Sequence, residues 1–402
     1  MACFGDLSVD LLYVIFAHVQ VNKRLLNNIA LSCRLFREVA QQFFVRDVTI
    51  THSPTCSRTK LFLRTLEARP DLVPHVHRLE LDLLREDIHW PEEQNNIKRI
   101  TSLLTNLREF RFSSRDYKIW HYEITFPLRL TSENAHTLIR KIEWCHNITF
   151  KTLYHCMSFP RIESLYCREL HGTPEELGNP DQISKRFSSL QELHIGSSMS
   201  LPAGSFQHIL GMPQKLRRLR IDFHDAYGNN VKADEIAALL EPVEQTLEEL
   251  TITKPKGPLI SAGLVNLSGF ASLKKLALPF KFLFPQARLQ STLEVDTILP
   301  PRLNELKLYF VAITLEVGSV SIEDNYRNVF TWVGEVTSIL HNGGPRAPNT
   351  RMPELQNVIL EKAKVGGYPG DLSEVTVETI MKFWKDREDD GDSRVAVRYQ
   401  VE

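Results

Sequence analysis

The six residues Leu190-Gln191-Glu192-Leu193-His194-Ile195 show the pattern that decides the fold. Apolar side chains occupy the first, fourth and sixth positions. In a β-strand, alternate residues face the same side of the sheet. We therefore expect a short strand here, in which Leu193 and Ile195 face a core while Glu192 and His194 face the other way.

Ten copies of the same pattern, apolar-x-x-apolar-x-apolar, form a series along the chain. The first nine copies begin 23 to 32 residues apart, and the tenth begins 52 residues after the ninth. Periods of 20–50 residues are typical of solenoids, in which each unit supplies one strand and a returning helix or turn. The copies begin at Val76, Leu107, Ile139, Ile162, Leu190, Leu216, Leu247, Leu273, Leu303 and Leu355.

The segments between the copies have room for helices, and two copies are preceded by nearly the same phrase. Helical spacing of apolar residues predicts helices over 58–68, 92–104, 132–138, 206–210 and 234–240. The phrases are Phe-Ser-Ser-Leu at 187–190 and Phe-Ala-Ser-Leu at 270–273. A shared phrase at one register supports a true repeat.

These units resemble leucine-rich repeats over about residues 44–365. That family places an asparagine eight residues after the first leucine, and only Asn147 matches this position. The resemblance therefore implies an irregular leucine-rich-repeat solenoid, an α/β fold with parallel strands on one face and helices or turns on the other.

The first 45 residues have a different pattern, with three short apolar stripes at helical spacing. The stripes are Leu11, Leu12, Ile15, Phe16 and Val19; Leu25, Leu26, Ile29 and Ala30; and Leu35, Phe36, Val39, Ala40 and Phe43. Three helices this short enclose little interior. A unit of about 40 residues usually needs a disulfide, a metal or a partner for stability. We expect a partner protein.

The segment 7–37 resembles the F-box, the module by which substrate receptors join cullin-type ubiquitin ligases through an adaptor subunit. The matching residues are Leu7, then Leu11-Leu12-Tyr13-Val14-Ile15-Phe16, Leu25-Leu26 and Ala30-Leu31-Ser32-Cys33-Arg34-Leu35-Phe36-Arg37. Ser8 replaces the family's proline and Asp10 its glutamate, and Ser8 is a good N-cap for a helix beginning at Val9. The resemblance implies an adaptor-binding set of Leu7, Ser8, Leu11, Leu12, Ile15, Phe16, Leu31, Cys33 and Phe36.

Four segments describe the expected domain organisation. An F-box helical module occupies 4–45, and a solenoid follows over 46–310. An inserted helix and a loop rich in proline and glycine occupy 311–354. The last repeat and a cap occupy 355–402, with a helix near 377–385 and an alternating strand over 395–401.

Composition limits the function classes. The formal net charge is −1, which argues against a protein that mainly neutralises phosphates. No run reaches the roughly 18 apolar residues needed to cross a bilayer. All six cysteines lie within the first 167 residues, which is not a disulfide framework. We expect a cytoplasmic or nuclear protein with neither a nucleic-acid nor a membrane partner.

Two clusters of residues contain side chains that could bind a metal ion. Cys145-His146, His155-Cys156, Cys167 and His171 are close in sequence but lack the spacing of a zinc site. The acidic run 386–391 resembles a calcium loop, but Val397 stands where a carboxylate is needed. We expect no metal, cofactor or catalytic residue. An alternative is an enzyme that uses the thiolate of Cys145 or Cys156 with a nearby histidine.

The combined resemblance implies a substrate receptor that itself makes no bond. The helices would bind the ligase adaptor, and the outward residues of the strands would bind a protein target. The alternative is a repeat scaffold with no ligase role. The candidate target-binding residues are Tyr166, His194, Arg218, Arg220 and Lys275.

Overall fold

The structure is a computed structural model of the 402-residue chain. It describes residues 8–19, 22–51, 57–83, 90–113, 127–128, 137–171, 189–198, 203–223, 233–253, 265–279, 282–283, 298–311, 355, 357–363 and 396–401. The chain divides into two compact units. The first unit comprises Met1–Arg168 and Arg186–Leu190, and the second comprises Glu169–Lys185 and Gln191–Glu402.

The first unit begins with three helices, α1 (Val9–Val19), α2 (Lys23–Ser32) and α3 (Arg34–Arg46). They match the three apolar stripes. The backbone N–H of Leu11 donates to Ser8 Oγ at 3.3 Å, so Ser8 caps α1 as predicted. Asn22 Oδ1 caps α2 by accepting from the N–H of Leu25 at 3.0 Å. Short polar side chains therefore define where these helices begin.

Five strands follow in the first unit, and neighbours in chain order lie side by side. The strands are β1 (Asp47–Thr51), β2 (Arg78–Asp82), β3 (Glu109–Ser113), β4 (Lys141–Thr149) and β5 (Ser164–His171), which begins in this unit. β1 to β4 pair in parallel. The connecting helices are α4 (Arg58–Ala68), α5 (Trp90–Leu103) and α6 (Phe150–Met157).

The second unit repeats this arrangement with seven strands in chain order. They are β6 (Glu192–Ser198), β7 (Arg218–Phe223), β8 (Glu249–Thr253), β9 (Lys275–Pro279), β10 (Glu305–Val311), β11 (Asn357–Ala363) and β12 (Ala396–Val401). All pair in parallel. The helices are α7 (Ala203–Leu210) and α8 (Ala233–Leu240).

The periodic apolar residues form the core of both units. The first residue of every copy is 4% exposed or less, and the inward pairs of β2 to β10 are 2% exposed or less. Neighbouring repeats within each unit must stack to bury such residues, because a single strand and helix enclose no interior. The α/β class, the parallel strands and the inward positions are therefore as predicted.

Three polar side chains each donate a hydrogen bond to a backbone carbonyl of the preceding repeat. Asn106 Nδ2 donates to the carbonyl of Pro74 at 2.9 Å, Ser189 Oγ to that of Ile162 at 2.6 Å, and Ser272 Oγ to that of Gln245 at 2.9 Å. All three donors stand directly before a copy's first apolar residue. The two serines come from the repeated phrases at 187–190 and 270–273, so the phrase supplies a turn carbonyl with its hydrogen bond.

The helices agree with the prediction at four of five places. Those predicted over 58–68, 92–104, 206–210 and 234–240 correspond to α4, α5, α7 and α8. Of 132–138, residues 132–136 lie outside the described residues, and 137–138 form a turn. Of the predicted insertion over 311–354, Val311 is the last residue of β10 and 312–354 lie outside the described residues, as does the predicted helix at 377–385.

Among the α-helices and strands, two elements were not predicted, namely β1 and α6. β1 does carry the three-point pattern, as Val45, Val48 and Ile50, but Val45 lies in the last turn of α3 and the strand follows the helix directly. α6 begins after Thr149, whose Oγ1 accepts from the N–H of Thr152 at 3.2 Å. Among the described helices, none is long and apolar enough to cross a bilayer.

Candidate functional site

The N-terminal helical module, defined as α1 to α3, has a small apolar core. The ring of Phe16 contacts Phe36 and Phe43 edge to face, with centroid distances of 5.8 and 6.0 Å. Six residues form the buried cluster: Leu12, Phe16, Leu26, Ala30, Val39 and Ala40. This core holds the three helices together but leaves much of their apolar surface outside.

Large apolar side chains are exposed mainly on this module. Among the described residues, six large apolar side chains are exposed, and five of them lie on α1 and α2. Leu31 is 67% exposed and Val14 is 56% exposed. Leu11 and Val14 are three residues apart on α1 and therefore share a face. The five are Val9, Leu11, Val14, Leu25 and Leu31, and the sixth is Leu61 on α4.

The predicted adaptor-binding residues divide into an inner and an outer group. Leu12 and Phe16 are each 1% exposed. Their burial assigns them to packing and removes them from the expected contact surface. Ile15 and Phe36 are half-buried against the core. Leu7 lies outside the described residues. The exposed members are Ser8, Leu11, Leu31 and Cys33.

A helical stripe cannot by itself separate these groups, because adjacent apolar residues such as Leu11 and Leu12 both belong to it. Only the packing of α1 against α2 and α3 selects Leu12 for the core and leaves Leu11 44% exposed. The contact surface available to a partner is therefore the outer group, extended by Val9, Val14 and Leu25.

The outward face of the parallel strands carries charges that alternate in sign from strand to strand. In the first unit the aligned residues at the strand starts are Asp47, Arg78, Glu109 and Lys141. In the second unit they are Glu192, Arg218, Glu249, Lys275 and Glu305. Opposite charges on neighbouring strands stabilise a sheet, and like charges destabilise it. Each residue therefore has a cross-strand partner of opposite charge.

The predicted target-binding residues lie on this outward face, where three of them form ion pairs and His194 forms a hydrogen bond with a carboxylate. Arg218 Nη2 lies 3.0 Å from Glu192 Oε2, and Lys275 Nζ lies 3.2 Å from Glu249 Oε1. Tyr166 is half-buried on β5. A target would have to compete with these ion pairs for the charged side chains, or bind to the alternating pattern of charges as a whole.

The remaining two, His194 and Arg220, converge on a carboxylate that the sequence pattern did not single out. His194 Nε2 donates to Asp222 Oδ2 at 2.7 Å, and Arg220 Nε donates to Asp222 Oδ1 at 3.1 Å. The hydroxyl of Thr253 donates to the same carboxylate. The register places His194 beside Arg220 and Asp222 beside Thr253. Three strands thus meet at one carboxylate.

The environment of Asp222 favours its charged form. Burial acts to raise the pKa of Asp222, but hydrogen bonds from His194 and Thr253 and the charge of Arg220 outweigh it, so the pKa lies below its usual range. A lowered pKa in the folded state means that the charged carboxylate stabilises the fold. This contribution is present above the ordinary aspartate pKa of about 3.9 and is lost as the pH falls through the folded-state pKa.

We predict that Asp222→Asn lowers the free energy of unfolding by about 1–2 kcal/mol at pH 7, because hydrogen bonds to a charged group are lost. The difference from wild type should shrink below about pH 4 as the native carboxylate becomes protonated. Urea denaturation followed by circular dichroism over this pH range measures both effects.

Glu249→Gln is the matched control for Asp222→Asn. Glu249 forms an ion pair with Lys275, and its side chain is 39% exposed. We expect a loss below about 1 kcal/mol, as for surface ion pairs. A constant difference between Asp222→Asn and wild type at all pH values would contradict the assignment.

The two cysteines of the thiol-enzyme alternative have the opposite of the required environment. Burial raises the pKa of the Cys156 thiol far above the usual range, and it also raises the pKa of Cys145. A nucleophilic thiolate needs a lowered pKa. His155 Nε2 is already in use as a donor to the Leu128 carbonyl at 3.2 Å. This geometry gives the thiol-enzyme alternative no support.

The sequence cluster around these cysteines does not assemble a metal site among the side chains that the structure describes. No three histidine, cysteine, aspartate or glutamate side chains there converge on a point that could hold an ion. The side chains of His146 and His171, and the acidic run 386–391, lie outside the described part of the chain.

No protein-family model matches the chain, and no curated protein is significantly similar to it.

Proposed function

We propose that this chain is a substrate receptor of a cullin-type ubiquitin ligase. The N-terminal helical module binds the ligase adaptor, and the outward face of the strands binds a protein target. The chain itself carries out no bond-making step and needs no cofactor. It raises the concentration of the target near the ligase, in the cytoplasm or the nucleus.

The observation that carries the proposal is the concentration of exposed apolar side chains on α1 and α2. Five of the six described exposed large apolar residues lie there, although the module makes up about a tenth of the chain. Burying a leucine or valine on a partner contributes about 1.5–3 kcal/mol. Exposed apolar clusters of this kind are typical of protein interaction sites.

The resemblance of segment 7–37 to the F-box supports the adaptor as that partner. Its exposed members Leu11, Leu31 and Cys33 belong to the matched motif. The capping of α1 by Ser8 supports the view that serine in place of proline keeps the helix start intact. The buried repeat positions and parallel strands support a leucine-rich-repeat solenoid as the second half.

The test is co-expression of the full chain with the adaptor subunit of a cullin-type ligase, followed by co-purification. We expect the wild-type chain to retain the adaptor and Leu11→Glu/Leu31→Glu to retain at least about tenfold less. A carboxylate placed in an apolar contact loses hydration without gaining a partner. Both positions are exposed in the free chain, so the double variant should fold.

Leu61→Glu is the matched control, because Leu61 is 45% exposed and lies on α4, away from the module. It should retain the adaptor as the wild type does. Equal retention by both variants would contradict the proposed surface. A stable monomeric wild type that retains no adaptor would favour the scaffold alternative.

A further inference from the structure

The residues that directly precede the first residue of each strand form a second row, here called the strand-start row. This row is distinct from the row of first strand residues described above. In the second unit the row is Gln191, Arg217, Glu248, Lys274 and Asn304, aligned by backbone hydrogen bonds between successive members. Glu248 separates the two cations, and it lies 3.7 Å from Arg217 and 3.2 Å from Lys274. In this unit the strand-start row follows the same sign alternation as the outward face.

The first unit breaks this rule in the same row. Its members are Arg46, His77, Arg108, Arg140 and Glu163, so four basic residues follow one another before the first acidic one. Their alignment is fixed by the hydrogen bonds His77 N to Arg46 O at 2.9 Å, Arg108 N to His77 O at 2.8 Å, and Arg140 N to Arg108 O at 2.8 Å. Neighbouring strands are about 4.8 Å apart, so these basic groups are closely spaced.

The local electrostatics agree with an excess of positive charge. Burial lowers the pKa of His77, and the charges of Arg108 and Arg46 lower it further, while the charge of Asp47 acts in the other direction. His77 Nδ1 is buried and has no hydrogen-bond partner among the described residues. Lys23 adds a cation, because its Nζ donates to the carbonyl of Asp47 at 3.3 Å.

The lowered pKa of His77 favours its neutral form, so the adjacent like charges in this row are those of Arg108 and Arg140. Like charges on neighbouring strands destabilise a sheet unless something offsets the repulsion. Arg140 is partly neutralised by Glu163 at 3.7 Å. Arg108 is exposed and has no acidic group within ion-pair distance in the part of the chain that the structure describes. The centre of the row is therefore the place where an external anion would gain most.

We propose that the four basic members of the strand-start row of the first unit, Arg46, His77, Arg108 and Arg140, bind an acidic segment of a partner protein. They span about 14 Å, three strand spacings, which matches four or five residues of an extended peptide. A protein segment fits better than a nucleic acid, because the chain as a whole has a net charge of −1 and its other rows alternate in sign. This inference stands apart from the proposed adaptor binding, which uses apolar contacts.

The test is fluorescence anisotropy of a labelled peptide of eight glutamates titrated with the full chain at low ionic strength. We expect binding that weakens several-fold on raising the salt, as for exposed charges. Arg108→Gln/Arg140→Gln should weaken it about tenfold or more. The adaptor plays no part in this measurement, so its outcome is separate from that of the co-purification.

Arg217→Gln/Lys274→Gln is the matched control, because it removes two cations from the same row of the second unit. It should change the affinity less than about twofold. Equal weakening by both double variants would overturn the proposal, since it would show unspecific attraction. Tighter binding of a labelled eight-nucleotide single strand, lost in Arg108→Gln/Arg140→Gln, would overturn it in favour of a nucleic acid. No binding of the peptide at low salt would also overturn it.

Discussion

Trp144→Ala should destabilise the first unit by about 3–5 kcal/mol, the usual range for an aromatic residue removed from a core. Trp144 is 1% exposed, on the inward face of β4. Its ring stacks on Phe112 at a centroid distance of 4.6 Å and on Phe110 at 6.4 Å. The substitution removes these contacts and leaves a cavity that rigid neighbouring strands cannot close.

Hydrogen exchange measures this loss strand by strand. The amides of β3 and β4 should exchange about a hundredfold faster or more in Trp144→Ala, since 1.4 kcal/mol corresponds to a factor of ten. Lys141→Ala is the control on the same strand, because it removes only a surface ion pair with Glu143. It should change the exchange less than about fivefold. Equal exchange rates in the two variants would show that Trp144 does not hold these strands together.

Phe16→Ala should unfold the N-terminal helical module while the strands stay folded. Phe16 is 1% exposed and contacts Phe36 and Phe43 from the neighbouring helix. The expected loss of about 3–5 kcal/mol matches or exceeds the stability that a core of this size usually supplies. The substitution should therefore unfold all three helices of the module.

The measurement is hydrogen exchange of residues 8–46 compared with that of β2 to β4. We expect protection to disappear from α1 to α3 and to persist in the strands. Val14→Ala is the control, because Val14 lies on the same helix and is 56% exposed. Protected helices in Phe16→Ala would contradict the packing role, and Phe16 would return to the set of partner contacts.

The two variants of the N-terminal helical module separate two ways of losing a partner. Phe16→Ala should lose the adaptor because the module unfolds. Leu11→Glu/Leu31→Glu should lose it with the module intact, because Leu11 and Leu31 are surface residues. A motif match alone does not distinguish these roles, since it names both kinds of residue.

Much of the fold could be predicted because burial follows a local period. In Leu216-Arg217-Arg218-Leu219-Arg220-Ile221, strand alternation alone assigns Leu219 and Ile221 to the core, and both are buried. The same reasoning places α4, whose predicted and observed bounds coincide. Period and capping are properties of adjacent residues, so they can be read without knowing the partners.

The missed helix α6 has a local signal that could have predicted it. Phe150, Leu153, Cys156 and Met157 are all fully buried and have helical spacing. The N-cap Thr149 and this spacing are both visible in the sequence. Cys156 is a core residue.

The sequence by itself determined the strand positions, the inward residues and the starts of the N-terminal helices, because each depends on periodicity or on a neighbouring cap. Only the tertiary structure decided which charges meet. The pairing of His194 with Asp222, and the run of Arg46, His77 and Arg108, join residues about 30 positions apart. Such contacts depend on the register between strands. The register is set by the packing of whole repeats against one another and not by any one segment.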